Sequence, residues 1–303
     1  MIQHYSAPNE RTNPTMFKKI TAALLMSISA AAFAVPLGSQ AVLVVEDETG
    51  KVLVEKNATA VVPIASLTKL MTAMVVLDSK LDMEEQISID KDDVDTLKHS
   101  TSRVPVGATI SRGELLQLAL MSSDNRAAAA LARTFPGGPA AFTAAVHAKI
   151  QQLGMSSTQI DEPTGLSPNN TSNAADLVKM AAAAAQYPEI RRITTDTEEV
   201  INMKGRMVQY HNTNRLVGAK GWDIGLSKTG YTVEAGRCLI MRITEAGRAA
   251  TLVLLNAGGN SARLMDALNI RRLLAGDNAP KVMKASSPRK KAVRTTERRR
   301  RRM

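Results

Sequence analysis

The chain has 303 residues, 44% of them hydrophobic, enough for one large domain or two small ones with a sizeable core. Aromatic residues make up 3%, poor material for a base-stacking nucleic-acid surface, and a single cysteine, Cys238, excludes an intrachain disulfide. The formal net charge of +11 is concentrated at one end: between Lys281 and Met303 every charged residue except Glu297 is basic, so the high pI describes a tail and not the body.

The polar stretch before Met16 gives way to a secretory pattern. Residues 16–19 (MFKK) supply a basic region and residues 20–33 an apolar run too short to span a bilayer comfortably. Ala32-Phe33-Ala34 fits the small-x-small cleavage rule. The expectation is a signal peptide over residues 1–34, with translation starting at Met16 and the mature chain at Val35; an uncleaved anchor is the alternative. Residues 41–58 (AVLVVEDETGKVLVEKNA) predict a hairpin around an Asp-Glu-Thr-Gly turn. A helix opening within ASLTKLMTAMV (65–75) follows. Residues 113–187 are Ala-rich and mostly helical. Strand-like runs return at 198–212, 223–232, 237–245 and 249–257, with short links that favour antiparallel pairing. Cys238 lies in one of them as a buried thiol on a core strand. Residues 260–276 show helical periodicity and close the core. Strands at both ends with helices between them indicate an α+β domain. Beyond Gly276, Pro, Ser, Lys and Arg without apolar periodicity predict a disordered basic tail over 277–303.

Three short strings carry chemistry. Ser66 and Lys69 stand three apart on a helix, so they share a face with Cβ atoms roughly 5–6 Å apart. Alone, Ser66 could cap the helix and Lys69 snorkel to the surface. Flanked by Leu67, Leu70, Met71 and Met74, however, Lys69 is desolvated, which lowers its pKa and makes an amine able to take the serine proton. The helix N-terminus favours a developing oxyanion near Ser66. The second string, Ser123-Asp124-Asn125, is an N-cap in its bland reading; functionally, Ser123 can relay a proton and Asn125 can offer its amide to a substrate backbone. The third, Lys228-Thr229-Gly230, sits on a predicted strand edge. It supplies a cation and a hydroxyl for a substrate carboxylate, and a glycine where a backbone can approach closely. Competing motifs fail. GLSKTG has no Gly directly before Lys228 and no helix after it, so it is not a phosphate loop. His4, His99, His147 and His211 are scattered without metal-ligand spacing, and His211 reads as a loop residue.

Ser-x-x-Lys, Ser-Asp-Asn and Lys-Thr-Gly in this order mark the class A β-lactamases and penicillin-binding proteins. From about Gln40 to Gly276, through ASLTKLMTAMVVLD, SRVPVG, ALMSSDNRAAAALA, EPTGLS, NTNRLV and LSKTGYTVEAGRCLIMR, the chain resembles the D-alanyl-D-alanine peptidases, the low-molecular-mass penicillin-binding proteins, and most of all their endopeptidase branch. The resemblance implies a β-lactamase/DD-peptidase-like fold: a five-stranded antiparallel sheet flanked by helices, a helical lobe, and an active site between them. It implies Ser66, Lys69 and Ser123 as catalytic residues and Asn125, Lys228, Thr229, Gly230 and Tyr231 as substrate-binding ones, with the backbone N–H groups of Ser66 and Tyr231 as the oxyanion hole. The implied reaction is acyl transfer from peptidoglycan stem peptides through an acyl-enzyme at Ser66, with β-lactams as mimics and no metal or organic cofactor. The extra β domain and terminal amphipathic helix common in the carboxypeptidases have no counterpart in the sequence, which points to the endopeptidases. The implied location is the periplasm. Anionic envelope polymers or lipids, with no specific nucleic acid, are the expected partners of the tail. Two rivals stand beside this reading. A serine β-lactamase needs a carboxylate to activate the deacylating water, and Glu162 is the candidate, although EPTGLS resembles a peptidase loop with Gly165 at a turn. A non-catalytic wall-binding module would put the function in the tail.

Overall fold

Strand-like runs from the two ends of the chain meet in one sheet. A computed structural model describes residues 37–276. The expected leader (1–34) and basic tail (277–303) lie outside the described residues. β1 (Ser39–Glu46) and β2 (Val52–Lys56) form the expected hairpin. The short β3 (Val62–Pro63) follows, then a 3-10 turn, Ala65–Thr68, that runs straight into α1 (Lys69–Asp78). β4 (Gln86–Ser88) pairs with β5 (Thr109–Ser111), which leads into α2 (Arg112–Met121), α3 (Asn125–Arg133) and α4 (Gly138–Gln152). Next come β6 (Thr171–Ser172), α5 (Ala174–Ala184) and α6 (Pro188–Thr195), then the hairpin β7 (Glu198–Met203) and β8 (Arg206–His211). β9 (Asp223–Thr232), β10 (Gly236–Glu245), β11 (Arg248–Ala257) and α7 (Asn260–Ala275) end the described chain.

The main sheet has five antiparallel strands in the order β2-β1-β11-β10-β9, so the α+β architecture expected from the sequence is present. Its central strands are buried on both faces, which is why they read as continuous apolar runs. Side chains alternate between the faces. Val42, Val44, Leu239, Met241, Leu252 and Leu254 pack with Ala267, Ile270 and Leu274 of α7. Ala41, Leu43, Cys238, Ile240, Val253 and Leu255 belong to the larger core that holds α1 and α5. Cys238 is buried, as expected of a core-strand thiol. α1 is buried from Lys69 to Val76, a helix apolar on every side with one lysine at its head.

The structure adds detail in two places. Residues 198–212 form a hairpin of their own, apart from the main sheet, because Lys204 (φ 55°) and Gly205 (φ 80°) reverse the chain. Residues 188–195, unassigned in the sequence, form α6; Pro188 opens it, and only Ile190, Ile193 and Thr194 are buried, too few for a clear period.

Candidate active site

Ser66 stands in the 3-10 turn ahead of α1, one step outside the helix expected to carry it, and its side chain caps nothing. Two glycines from distant segments hold that turn. A Cβ on Gly165 (φ +83°) would lie 2.0 Å from the Ala65 carbonyl oxygen and 2.8 Å from the Ser66 nitrogen. A Cβ on Gly230 would lie 3.0 Å from the Ile64 oxygen and 3.2 Å from the Ser66 nitrogen. Gly230, expected to admit a substrate backbone, thus also admits the nucleophile's own turn. Ala65 itself takes φ 48°, a left-handed conformation that a non-glycine residue adopts only when its surroundings enforce it.

Lys69 opens α1 and is buried. Its Nζ lies 2.9 Å from Ser66 Oγ, 2.7 Å from Asn125 Oδ1 and 2.6 Å from the Thr164 carbonyl oxygen. Burial pushes its pKa down from 10.5 to about 8, against the opposing pull of Glu162, Asp124 and Asp95. The two oxygens other than Ser66 Oγ can only accept, so they take the two N–H bonds of a neutral amine. The lone pair is left facing the Ser66 hydroxyl.

The second string serves both of its readings. Asp124 caps α3, its Oδ1 accepting from Ala127 N at 3.0 Å, and its Oδ2 accepts from Ser102 Oγ at 2.8 Å. The cap places Asn125 at the first helical position. Its Oδ1 meets Lys69 and its Nδ2 donates to Ser100 Oγ at 2.8 Å. Ser123, at φ 61°, turns its hydroxyl to Lys228, whose Nζ donates to it at 2.9 Å and to the Thr229 carbonyl oxygen at 3.0 Å. Lys228 is buried on β9, the edge of the main sheet. Burial first, then the charges of Lys69 and Arg263, hold its pKa well below the usual lysine value. A substrate carboxylate within reach would restore the ammonium form. Thr229 Oγ1 donates to Thr213 Oγ1 at 2.7 Å.

Ser66, Ser123, Asn125, Thr229, Gly230 and Tyr231 line one cleft of about 580 Å³. The sequence reading did not single out Arg215, Arg237 or Arg263, which line the same cleft. Only their place in the fold reveals them, since Arg263 comes from α7 and Arg237 from the strand beside β9. His211 ends β8, exposed and 3.5 Å from Glu198, and does not line the cleft.

Glu162 is engaged by its own loop. Its carboxylate accepts from Thr164 N (2.7 Å), Thr164 Oγ1 (2.5 Å), Gly165 N (2.6 Å), Ser167 N (3.2 Å) and Asn170 Nδ2 (3.0 Å). It therefore shapes the loop whose Thr164 carbonyl holds Lys69.

A family model described as D-alanyl-D-alanine carboxypeptidase matches residues 28–259. The chain belongs to the D-alanyl-D-alanine carboxypeptidase family. It is 47% identical over 240 residues to a D-alanyl-D-alanine endopeptidase of Pseudomonas aeruginosa, covering 78% of this chain and 77% of that one. It is 42% identical over 237 residues to one from Escherichia coli, covering 78% and 76%. The Streptomyces K15 DD-transpeptidase crystal structure superposes with a TM-score of 0.73 at 25% identity, over 79% of this chain and 97% of that one. The five-stranded sheet with its helices is thus the fold of this family, as the three motifs implied.

Proposed function

We propose that this member of the family is a serine D-alanyl-D-alanine peptidase of peptidoglycan stem peptides, acting mainly as an endopeptidase on cross-links and also able to release terminal D-Ala. One observation carries the reading: a buried Lys69, its pKa lowered to about 8, with Nζ 2.9 Å from Ser66 Oγ and its other two partners obligate acceptors. Lys69 takes the hydroxyl proton as Ser66 Oγ attacks the carbonyl of the penultimate D-Ala. The backbone N–H groups of Ser66 and Tyr231 receive the oxyanion. The C–N bond breaks, and the departing amine takes a proton through the Ser123 hydroxyl, which Lys228 holds in place. Lys228, Thr229 and Arg263 meet the carboxylate beside the scissile bond. Water then hydrolyses the ester and the proton returns to Ser66. β-Lactams acylate Ser66 by the same attack. The endopeptidase preference is supported by the two relatives at 47% and 42% identity, both named endopeptidases. The β-lactamase reading is not favoured, because five donors already occupy the Glu162 carboxylate.

The leader over 1–34 directs export to the periplasm, residues 35–276 are the catalytic domain, and the basic tail over 277–303 binds anionic wall polymers or lipid head groups. No helix among the described residues is long and apolar enough to cross a membrane. Digestion of purified muropeptides, together with fluorescent-penicillin labelling, tests the reading. Wild type should convert cross-linked dimers to monomers, and Ser66→Ala should neither label nor cleave while keeping its fold. Labelling of Ser66→Ala at the wild-type rate, or dimers untouched by wild type, would sink it.

A further inference from the structure

The cleft does not end at Thr229. It continues past Tyr231 to Asn260 and Ser261 in the first turn of α7, where backbone N–H groups and the helix dipole favour an anion. Arg215, Arg237 and Arg263 stand on its wall. Among the described residues six other arginines are ion-paired to carboxylates, and none of these three is. Arg263 donates to the Cys238 carbonyl oxygen at 3.1 Å and to Asn260 Oδ1 at 3.4 Å. Arg237 pairs with Tyr231 across β9 and β10 and lays its guanidinium 3.6 Å over the Tyr231 ring. That stacking occupies the face of the guanidinium and leaves its in-plane N–H donors for a planar anion. Burial lowers the pKa of Arg263, and the neighbouring charge of Arg237 lowers it further, so an anion between the two relieves a standing repulsion.

These cations exceed what a carboxypeptidase substrate requires. A departing D-Ala carries one carboxylate, and Lys228, Thr229 and Arg263 already meet it. A departing cross-linked strand carries that carboxylate and others further along its stem. Resting on the endopeptidase reading, we propose that Arg237, with Arg215 on the same cleft wall, forms a second carboxylate subsite that holds the departing strand of a cross-link. Arg237 is then a specificity residue: it selects cross-linked substrate over terminal D-Ala.

The test compares kcat/KM of the mature chain and of Arg237→Ala on three substrates: a cross-linked dimer, the same dimer with the carboxylates of its departing strand beyond the scissile bond amidated, and a pentapeptide monomer. Arg237→Ala should lower the dimer-to-monomer ratio about ten-fold, mostly through KM, the factor that 1.4 kcal/mol of lost binding gives. On wild type, amidation should cost the dimer a similar factor, and Arg237→Ala should add little on the amidated dimer. Arg237→Lys, which keeps the charge, should recover part of the ratio. If Arg237→Ala does not fold, wild type on the amidated dimer and Arg237→Lys still decide the matter. An unchanged ratio, or an equal loss on native and amidated dimers, would overturn the subsite while leaving the endopeptidase reading intact. A wild type that cleaves no dimer would remove both.

Discussion

Lys69 and Lys228 each share a hydrogen bond of 2.9 Å with a serine hydroxyl that lines the cleft, Ser66 for the first and Ser123 for the second. Neither lysine has a carboxylate partner among the described residues, and both are buried. Burial therefore pushes both toward the neutral amine, and for Lys228 the charges of Lys69 and Arg263 add to it. The two serines thus have separate proton partners, one for loading the nucleophile and one for the departing amine.

The Lys69 pKa of about 8 sets the pH dependence of acylation. Below that value the protonated form dominates and cannot take the Ser66 proton. The rate should therefore rise about ten-fold per pH unit up to roughly pH 8 and level off above it. Lys69→Ala should remove this limb and slow acylation by roughly 10²- to 10⁴-fold. Stopped-flow penicillin acylation from pH 6 to 9 checks both; a flat wild-type profile would deny Lys69 the role of base.

Lys228→Ala should weaken acylation efficiency by about 2–5 kcal/mol, since the substrate carboxylate then enters a partly dry cleft without its cation. Thermal stability should fall little, because the side chain removed has no counter-charge to lose and its burial already disfavours the charged form. Measuring kcat/KM and Tm on the same preparation separates the two effects. Equal efficiency in mutant and wild type would take Lys228 out of the site.

Glu162→Gln replaces one acceptor oxygen with an NH₂ group that faces backbone N–H donors. Stability should drop by about 1–3 kcal/mol for the broken loop bonds. The lifetime of the penicilloyl-enzyme should stay nearly unchanged. If wild type turns penicillin over rapidly and the mutant traps the adduct, Glu162 is a deacylation base after all.

Gly165→Ala meets two obstacles at once. A methyl group would fall 2.0 Å from the Ala65 oxygen, and φ +83° disfavours any L side chain. The loop must shift, and it carries the Thr164 carbonyl that holds Lys69. The expected result is a loss of a few kcal/mol or more in a denaturant titration, with loss of penicillin labelling. Wild-type labelling would show that the turn around Ser66 does not depend on this contact.

Truncation after Pro280 should leave turnover of a small soluble peptide intact and weaken pelleting with sacculi or anionic vesicles at low salt. Each basic residue near an anionic membrane is worth about 1 kcal/mol at most, and less as salt rises. Equal pelleting with and without the tail across a salt series would rule out the tether.

Much of this protein was legible in its order of residues. Continuous apolar runs dictate strands buried on both faces, and a lysine one turn beyond a serine, among leucines and methionines, already implies a lowered pKa. These are local properties, fixed by neighbours a few positions away. Whatever depends on residues far apart in the chain had to wait for the tertiary structure. Ser66 lies in a 3-10 turn and not on the helix because Gly165 and Gly230, about one hundred and more than one hundred and sixty positions downstream, press against its backbone. Glu162 looks in sequence like a possible base, and only the fold shows its oxygens already engaged. The arginines of the cleft have no local signature, since a surface arginine and a ligand-facing one have the same neighbours in sequence. Which way a guanidinium faces is decided by the sheet register that sets Arg237 on Tyr231 and by the helix packing that brings Arg263 beside it.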